Sequence, residues 1–132
     1  MIVADTSAVV NALVARPGRP DLVRRIAQAG ELHAPYLLDV EFLHVLRRLV
    51  HTGALSPDRA EDARQDFHDL AIVRYPHQPL ADRMWQFRDN VSAYDAAFLA
   101  LAEMLDVPLV TCDARLAHSS GHRAQVELFG AA

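Results

Sequence analysis

Asp5, Glu41, Asp95 and Asp113 each stand at a point where a strand-like run gives way to a helical one, or where a helix begins. Taken singly, each is explained well enough as a helix N-cap or a first-turn charge favoured by the helix dipole, worth about 1 kcal/mol. Gathered on one edge of a fold they mean something else, because packed carboxylates repel and raise one another's pKa unless a cation compensates. A divalent ion with oxygen ligands is the natural compensation, and Mg2+ or Mn2+ suits carboxylate and water better than Zn2+ does. Metal-assisted hydrolysis is the chemistry open to such a set.

The elements that must position these acids can be read from the pattern around them. Ile2 to Ala4 reads as a short buried strand, followed by a helical run from Ala8 to about Ala15 that the segment Pro17-Gly18-Arg19-Pro20 breaks. A second helix is expected from Asp21 to Ala29, closed by Gly30, and Leu32 to Ala34 is a weak strand candidate. Leu38, Phe42, Val45, Leu46 and Leu49 paint one face of a helix that Gly53 ends. Ser56-Pro57-Asp58 opens another, with Ala60, Ala63, Phe67 and Leu70 as its buried stripe. Ala71 to Tyr75 suits a strand, and Pro79 starts a helix running to about Asn90. Asp95 to Leu105 is rich in alanine and leucine and is read as helix; Leu109 to Cys112 is a strand leading into a short helix, and Gln125 to Leu128 a last strand. Strands alternating with helices predict a parallel sheet covered on both faces, an α/β three-layer sandwich.

That architecture brings the acids together. Strand carboxyl ends and the amino ends of the following helices share one edge of a parallel sheet, where ligands bind. Asp5 and Asp113 follow strands. The helix from Asp95 rises roughly 15 Å, and the strand after Pro108 returns about 13 Å, so Asp113 comes back to the level of Asp95. Glu41 is read in the first turn of its own helix, again at an amino end.

Composition narrows the alternatives. A chain of 132 residues is read as one domain, with 52% hydrophobic and 23% charged residues typical of a globular protein. The formal charge of −4 argues against a generally basic nucleic-acid-binding surface, though not against a nucleic-acid enzyme whose acidic site is neutralised by metal. All 13 basic residues are arginine. The lack of lysine removes a Walker A loop and counts against receiver domains and haloacid-dehalogenase-type phosphatases, whose chemistry calls for a lysine that an arginine fork does not replace. No apolar run approaches the ~20 residues a membrane helix needs, and no basic segment precedes the first one, so neither a membrane span nor a signal peptide is expected. Cys112 is the only cysteine, which excludes an internal disulfide and fits a reducing cytoplasm.

The strings IVADTSAVVNAL, APYLLDVEFLHVLRRL, SAYDAAFLALAE and PLVTCDARLA resemble the four signature segments of PIN-domain ribonucleases, in particular the VapC toxins of bacterial toxin–antitoxin pairs. The resemblance spans essentially the whole chain and keeps the order of all four acids. It implies a PIN-like fold and hydrolysis of structured RNA that leaves a 5′-phosphate. It also implies that Asp5, Glu41, Asp95 and Asp113 bind one or two Mg2+ or Mn2+ ions, with a hydroxyl from Ser7 or Thr6 in support. A VapB-like antitoxin and a homodimer are the partners it implies. Two other readings stay open: a PIN nuclease working in RNA processing without an antitoxin, and a catalytically silent PIN-like scaffold, against which the intact acid set counts.

Several other residues invite a role. Ser7 is read as an N-cap of the first helix or as a holder of a reactive water, and Asn11 as a neighbour of the site or a partly buried polar residue. Asp39 competes with Glu41 but stands where an N-cap belongs. Arg47 and Arg48 are read as solvated, whereas Arg115 should project near the acidic edge and reach an RNA phosphate. His118 and His122 have a zinc-like spacing, but Gly121 interrupts a helix there and no cysteine pair completes a site. Cys112 is read as a core thiol. Tyr36 and Tyr94 could stack on bases, while helical spacing favours core or dimer packing for Trp85.

Overall fold

Three apolar residues, Ile2–Ala4, form β1, and none of them is exposed. Such a run suits a strand covered on both faces. The structure, a computed structural model, describes residues 1–130. After β1 come α1 (Thr6–Leu13), α2 (Pro20–Gln28), β2 (Leu32–Pro35), α3 (Leu37–His51), α4 (Pro57–Asp69) and β3 (Ile72–Tyr75). A 3-10 turn at Gln78–Leu80 leads into α5 (Ala81–Gln86), then α6 (Ala93–Leu105), β4 (Leu109–Thr111), α7 (Ala114–Ala117) and β5 (Val126–Leu128).

The strands make one parallel sheet in the order β3-β2-β1-β4-β5. From β1 the chain steps outward twice, to β2 and β3, then crosses back to β4 and steps outward the other way to β5. With right-handed crossovers, α1 to α4 cover one face and α5 to α7 the other, giving the three-layer sandwich. The direction of winding reverses between β1 and β4, and a parallel sheet opens a crevice beyond the carboxyl ends of its strands at that point.

The core follows the stripes in the sequence. Leu38, Phe42 and Leu46 are buried on α3, and the Phe42 ring stacks on Phe67 of α4 with centroids 4.2 Å apart. Helix α6 is buried without a break from Ala96 to Ala102. A helix apolar all round belongs inside a protein, and its alanines let it lie close against the sheet.

Four local expectations are corrected. Helix α1 begins at Thr6, not Ala8, and ends at Leu13, because Asp5 and not Ser7 is its N-cap: Asp5 has extended backbone and its carboxylate accepts from the Ala8 N–H. Helix α3 begins at Leu37, since Tyr36 already has helical backbone angles. Glu41 is therefore in the second turn rather than the first. Asp39 is not a cap either; its carboxylate takes the Arg74 guanidinium at 2.7 and 2.9 Å, tying α3 to β3. Trp85 is 68% exposed, with the Arg88 guanidinium 4.9 Å above its ring, and so is no core residue.

Candidate metal centre

Asp5 is the buried heart of the site, at 5% exposure. The register of β1 and β4 pairs Ala4 with Val110, so Asp5, just beyond β1, lies beside Thr111, the last residue of β4. Oδ1 of Asp5 accepts from Ser7 Oγ at 2.7 Å and from the Ala8 N–H at 2.9 Å, while Oδ2 accepts from Thr111 Oγ1 at 2.6 Å. A carboxylate offers about four lone-pair directions, so the free capacity lies on Oδ2. These hydrogen bonds favour the ionised form, yet burial outweighs them and lifts the Asp5 pKa to about 6.

Two hydroxyls fix the neighbours. Ser7 Oγ also accepts the Cys112 N–H at 2.9 Å, and Thr111 Oγ1 accepts the Asp113 N–H at 2.9 Å. The strand end that carries Asp113 is thereby tied to Asp5. Thr6 Oγ1 donates to Glu41 Oε1 at 2.6 Å, which fastens α3 to the start of α1. Asn11 donates to the Ser7 carbonyl at 2.8 Å, one turn along the same helix. Asp113 caps α7 through Oδ1, accepting from the Arg115 N–H at 2.9 Å.

Asp5, Glu41, Asp95 and Asp113 all line one cleft of about 680 Å3. Burial raises the pKa of Glu41, and Asp95 raises it further; burial also raises that of Asp95, with Asp113 adding to it. Among the described residues none of Asp5, Glu41 and Asp95 has a salt-bridge partner, and Asp113 has only Arg115 at 4.0 Å. Unpaired acids that repel one another are what a cation stabilises. The four acids offer only carboxylate oxygens, a donor set that suits Mg2+ or Mn2+, which keep several waters, better than it suits Zn2+.

The same cleft takes in residues the sequence reading set aside or passed over. His44 and Arg48 line it from α3. Both follow Glu41 at helical spacing, three and seven residues on, a signal present in the sequence. Thr111, fully buried, was not singled out at all; a hydroxyl in an otherwise apolar strand immediately before Cys112-Asp113 was the available clue. Cys112 is a core thiol as expected, and burial pushes its pKa up to about 11. Arg115 is well exposed beside Asp113.

A family model for the PIN domain matches residues 2–121. The chain belongs to the PIN-domain family. This PIN domain is 41% identical over 127 residues to Ribonuclease VapC1 of Mycobacterium tuberculosis, covering 96% of each chain. Against Ribonuclease VapC12 of the same organism the identity is 38% over 128 residues, covering 97% of this chain and 98% of the relative. Within the family it therefore groups with the VapC ribonucleases. The PIN fold recurs in the crystal structure of PAE2754 from Pyrobaculum aerophilum, with a TM-score of 0.71 at 17% identity over 95% of this chain and 81% of that one. It recurs also in Mycobacterium tuberculosis VapC20, described as a sarcin–ricin loop cleaving toxin, with a TM-score of 0.59 at 14% identity over 89% and 93% of the two chains. No described helix is long and apolar enough to cross a membrane.

Proposed function

We propose that this PIN domain, acting as a single domain, is a metal-dependent endoribonuclease and the toxin of a VapBC-type pair. The observation that carries the reading is the unpaired set of carboxylates in one cleft, at the point where the sheet reverses its winding. Asp5, Glu41 and Asp95 would hold Mg2+ or Mn2+, and Asp113 a second ion or an attacking water. A bound divalent ion supplies Lewis-acid activation of water and neutralises charge on the phosphodiester. In the reaction, water oxygen bonds to phosphorus, the bond from phosphorus to the 3′-oxygen breaks, and the 3′-oxygen takes up a proton, leaving a 5′-phosphate.

The chain's own residues prepare that step. Ser7 and Thr111 hold both oxygens of Asp5 in place and are positioning residues. Thr6 does the same for Glu41.

A VapB-like antitoxin is part of the same reading. A second, apolar groove of about 280 Å3 runs beside α1 and the end of α3, lined by Val14, Leu49 and Leu55, and shares Val10 and Asn11 with the acidic cleft. An antitoxin segment seated there could lay apolar side chains in the groove and a basic one among the acids, competing with the metal. We extend the reading to a homodimer and a cytoplasmic location, by resemblance.

The test is to map new 5′ ends of cellular RNA after brief induction of the protein and of its Asp5→Asn and Asp95→Asn variants. The unaltered protein should create discrete 5′-phosphate ends, and the variants, folded by circular dichroism, should create none. An Asp5→Asn protein as active as the original would sink the assignment.

A further inference from the structure

A second cleft, about 580 Å3, opens beside the acidic one, and Asp95 lines both. Its walls come from the α5–α6 connection and from α7 with the loop that follows. Its chemistry differs from that of its neighbour: Arg88, Arg115 and His118 face it, with Asp89 and Asp95 as its acids.

The arginines of the fold are not all held alike. Arg25, Arg74 and Arg83 each have a carboxylate oxygen at 2.7 Å, so their charge is already used. Arg88 has no ion pair among the described residues; it is steadied over the Trp85 ring at 4.9 Å and by donating to the Trp85 carbonyl at 3.1 Å. The Arg115 side chain is 86% exposed, and its nearest carboxylate, Asp113, is 4.0 Å away and belongs to the proposed metal centre. Both guanidinium groups therefore keep N–H donors free for an anion.

The two walls that carry them touch. Gly121 has φ +89°, and a Cβ there would stand 2.8 Å from the Asn90 side chain, so only glycine lets the loop close on the α5–α6 connection. Asn90 donates to Ser120 Oγ at 3.3 Å, and Arg83, itself held by Glu103, donates to the Gly121 carbonyl at 3.4 Å. The loop after α7 and the α5–α6 connection are thus held together beside the acidic cleft. On the opposite flank His44 and Arg48 line the acidic cleft from α3.

A polyanion whose reacting phosphate lies at the carboxylates needs positive charge for the phosphates on either side. We propose that the second cleft receives the RNA backbone on one side of the scissile phosphodiester, with Arg88 and Arg115 contacting phosphate oxygens and His118 adding a ring N–H. The proposal rests on the ribonuclease reading and names the substrate track within it.

The test uses the full chain in EDTA, where cleavage is blocked, and a fluorescein-labelled RNA hairpin followed by anisotropy across a salt series. Arg88→Ala and Arg115→Ala should each weaken binding about 3- to 10-fold and lower the slope of log K against log salt by about 0.7 to 1. Arg115→Lys should keep the slope. Arg64→Ala, which removes the same charge from an ion pair with Glu61 on α4, should leave the slope unchanged. The sole tryptophan, Trp85, gives a second signal, since RNA drawing Arg88 from its ring should alter its emission. Slopes and affinities for the two cleft variants equal to those of Arg64→Ala, or no salt-dependent binding by the unaltered protein, would overturn the proposal. Cleavage of total RNA in Mg2+ separates the two readings. If only Asp5→Asn is impaired, the cleft proposal fails and the ribonuclease stands. If binding depends on the arginines but no RNA is cut, the cleft stands and the ribonuclease fails.

Discussion

At the scale of the residue, Asp5 carries the largest electrostatic cost. An aspartate in an unfolded chain titrates near ~3.9, whereas burial lifts Asp5 to about 6 in the folded protein. Between those values the native state holds a proton that the unfolded state has lost. The associated stability is therefore fully present below pH ~4 and is lost as pH rises through about 6. Burial raises Glu41 and Asp95 in the same direction. Metal-free protein is expected to lose about 2–3 kcal/mol from Asp5 between pH 4 and pH 7. Asn at this position can accept from the Ala8 N–H and donate to Thr111 Oγ1, but it does not titrate. Urea denaturation across that range should show a visibly flatter profile for Asp5→Asn; parallel profiles would show that Asp5 is not destabilised by burial. Ser7 and Asp39 teach a related lesson. Each was expected to cap a helix, and each instead serves a distant partner, Cys112 for one and Arg74 for the other. Local sequence names a cap by type, but pairing across the fold takes the side chain when a stronger partner arrives.

At the scale of the element, α6 is anchored at both ends. Ser92 caps its start by accepting the Asp95 N–H at 3.2 Å, and its middle is wholly buried. Near its end Glu103, with a side chain only 3% exposed, accepts from Arg83 at 2.7 and 3.0 Å and from the Arg123 N–H at 2.9 Å. One carboxylate thus joins α5, α6 and the segment entering β5. Glu103→Ala should cost about 2–3 kcal/mol, below the usual ~3–5 for breaking a buried pair because Arg83 can still reach water. Chemical denaturation measures that loss, and a double-mutant cycle with Arg83→Ala should give a coupling above ~1 kcal/mol. Independent losses that simply add would show that the pair contributes no specific linkage. The short α5 and the exposure of Trp85 mark where periodicity misled. Leu80, Met84 and Phe87 do pack inward, so the stripe was real, but the helix stops at Gln86 and Trp85 faces outward.

At the scale of the whole molecule, the site exists because β1 and β4 are neighbours while α1 and α7 leave them on opposite faces. Asp5 and Asp113 end up together at that reversal, and α3 and α6 add Glu41 and Asp95 from either side. A cation binding there stabilises the fold by mass action, about 2.7 kcal/mol when its concentration is 100-fold above Kd. Mg2+ or Mn2+ should therefore raise the melting temperature by several degrees, EDTA should reverse the rise, and an Asp5→Asn/Asp95→Asn protein should show none. An equal rise in that double variant would place the ion elsewhere. Much of this was legible in the sequence. Alternating strands and helices determined a parallel sheet, because burial on both faces and helical stripes are written in residue order. That the four acids would meet in one cleft was legible too, since Asp5 and Asp113 follow strands and Asp95 stands in the first turn of α6. Which strands are neighbours, and so which hydroxyl meets which carboxylate, only the tertiary structure decided. Thr111 meets Asp5 across 106 positions of sequence, and no local pattern encodes a contact made by register. The same holds for the arginines of the second cleft: composition counts charges, but only packing determines which of them keep donors free.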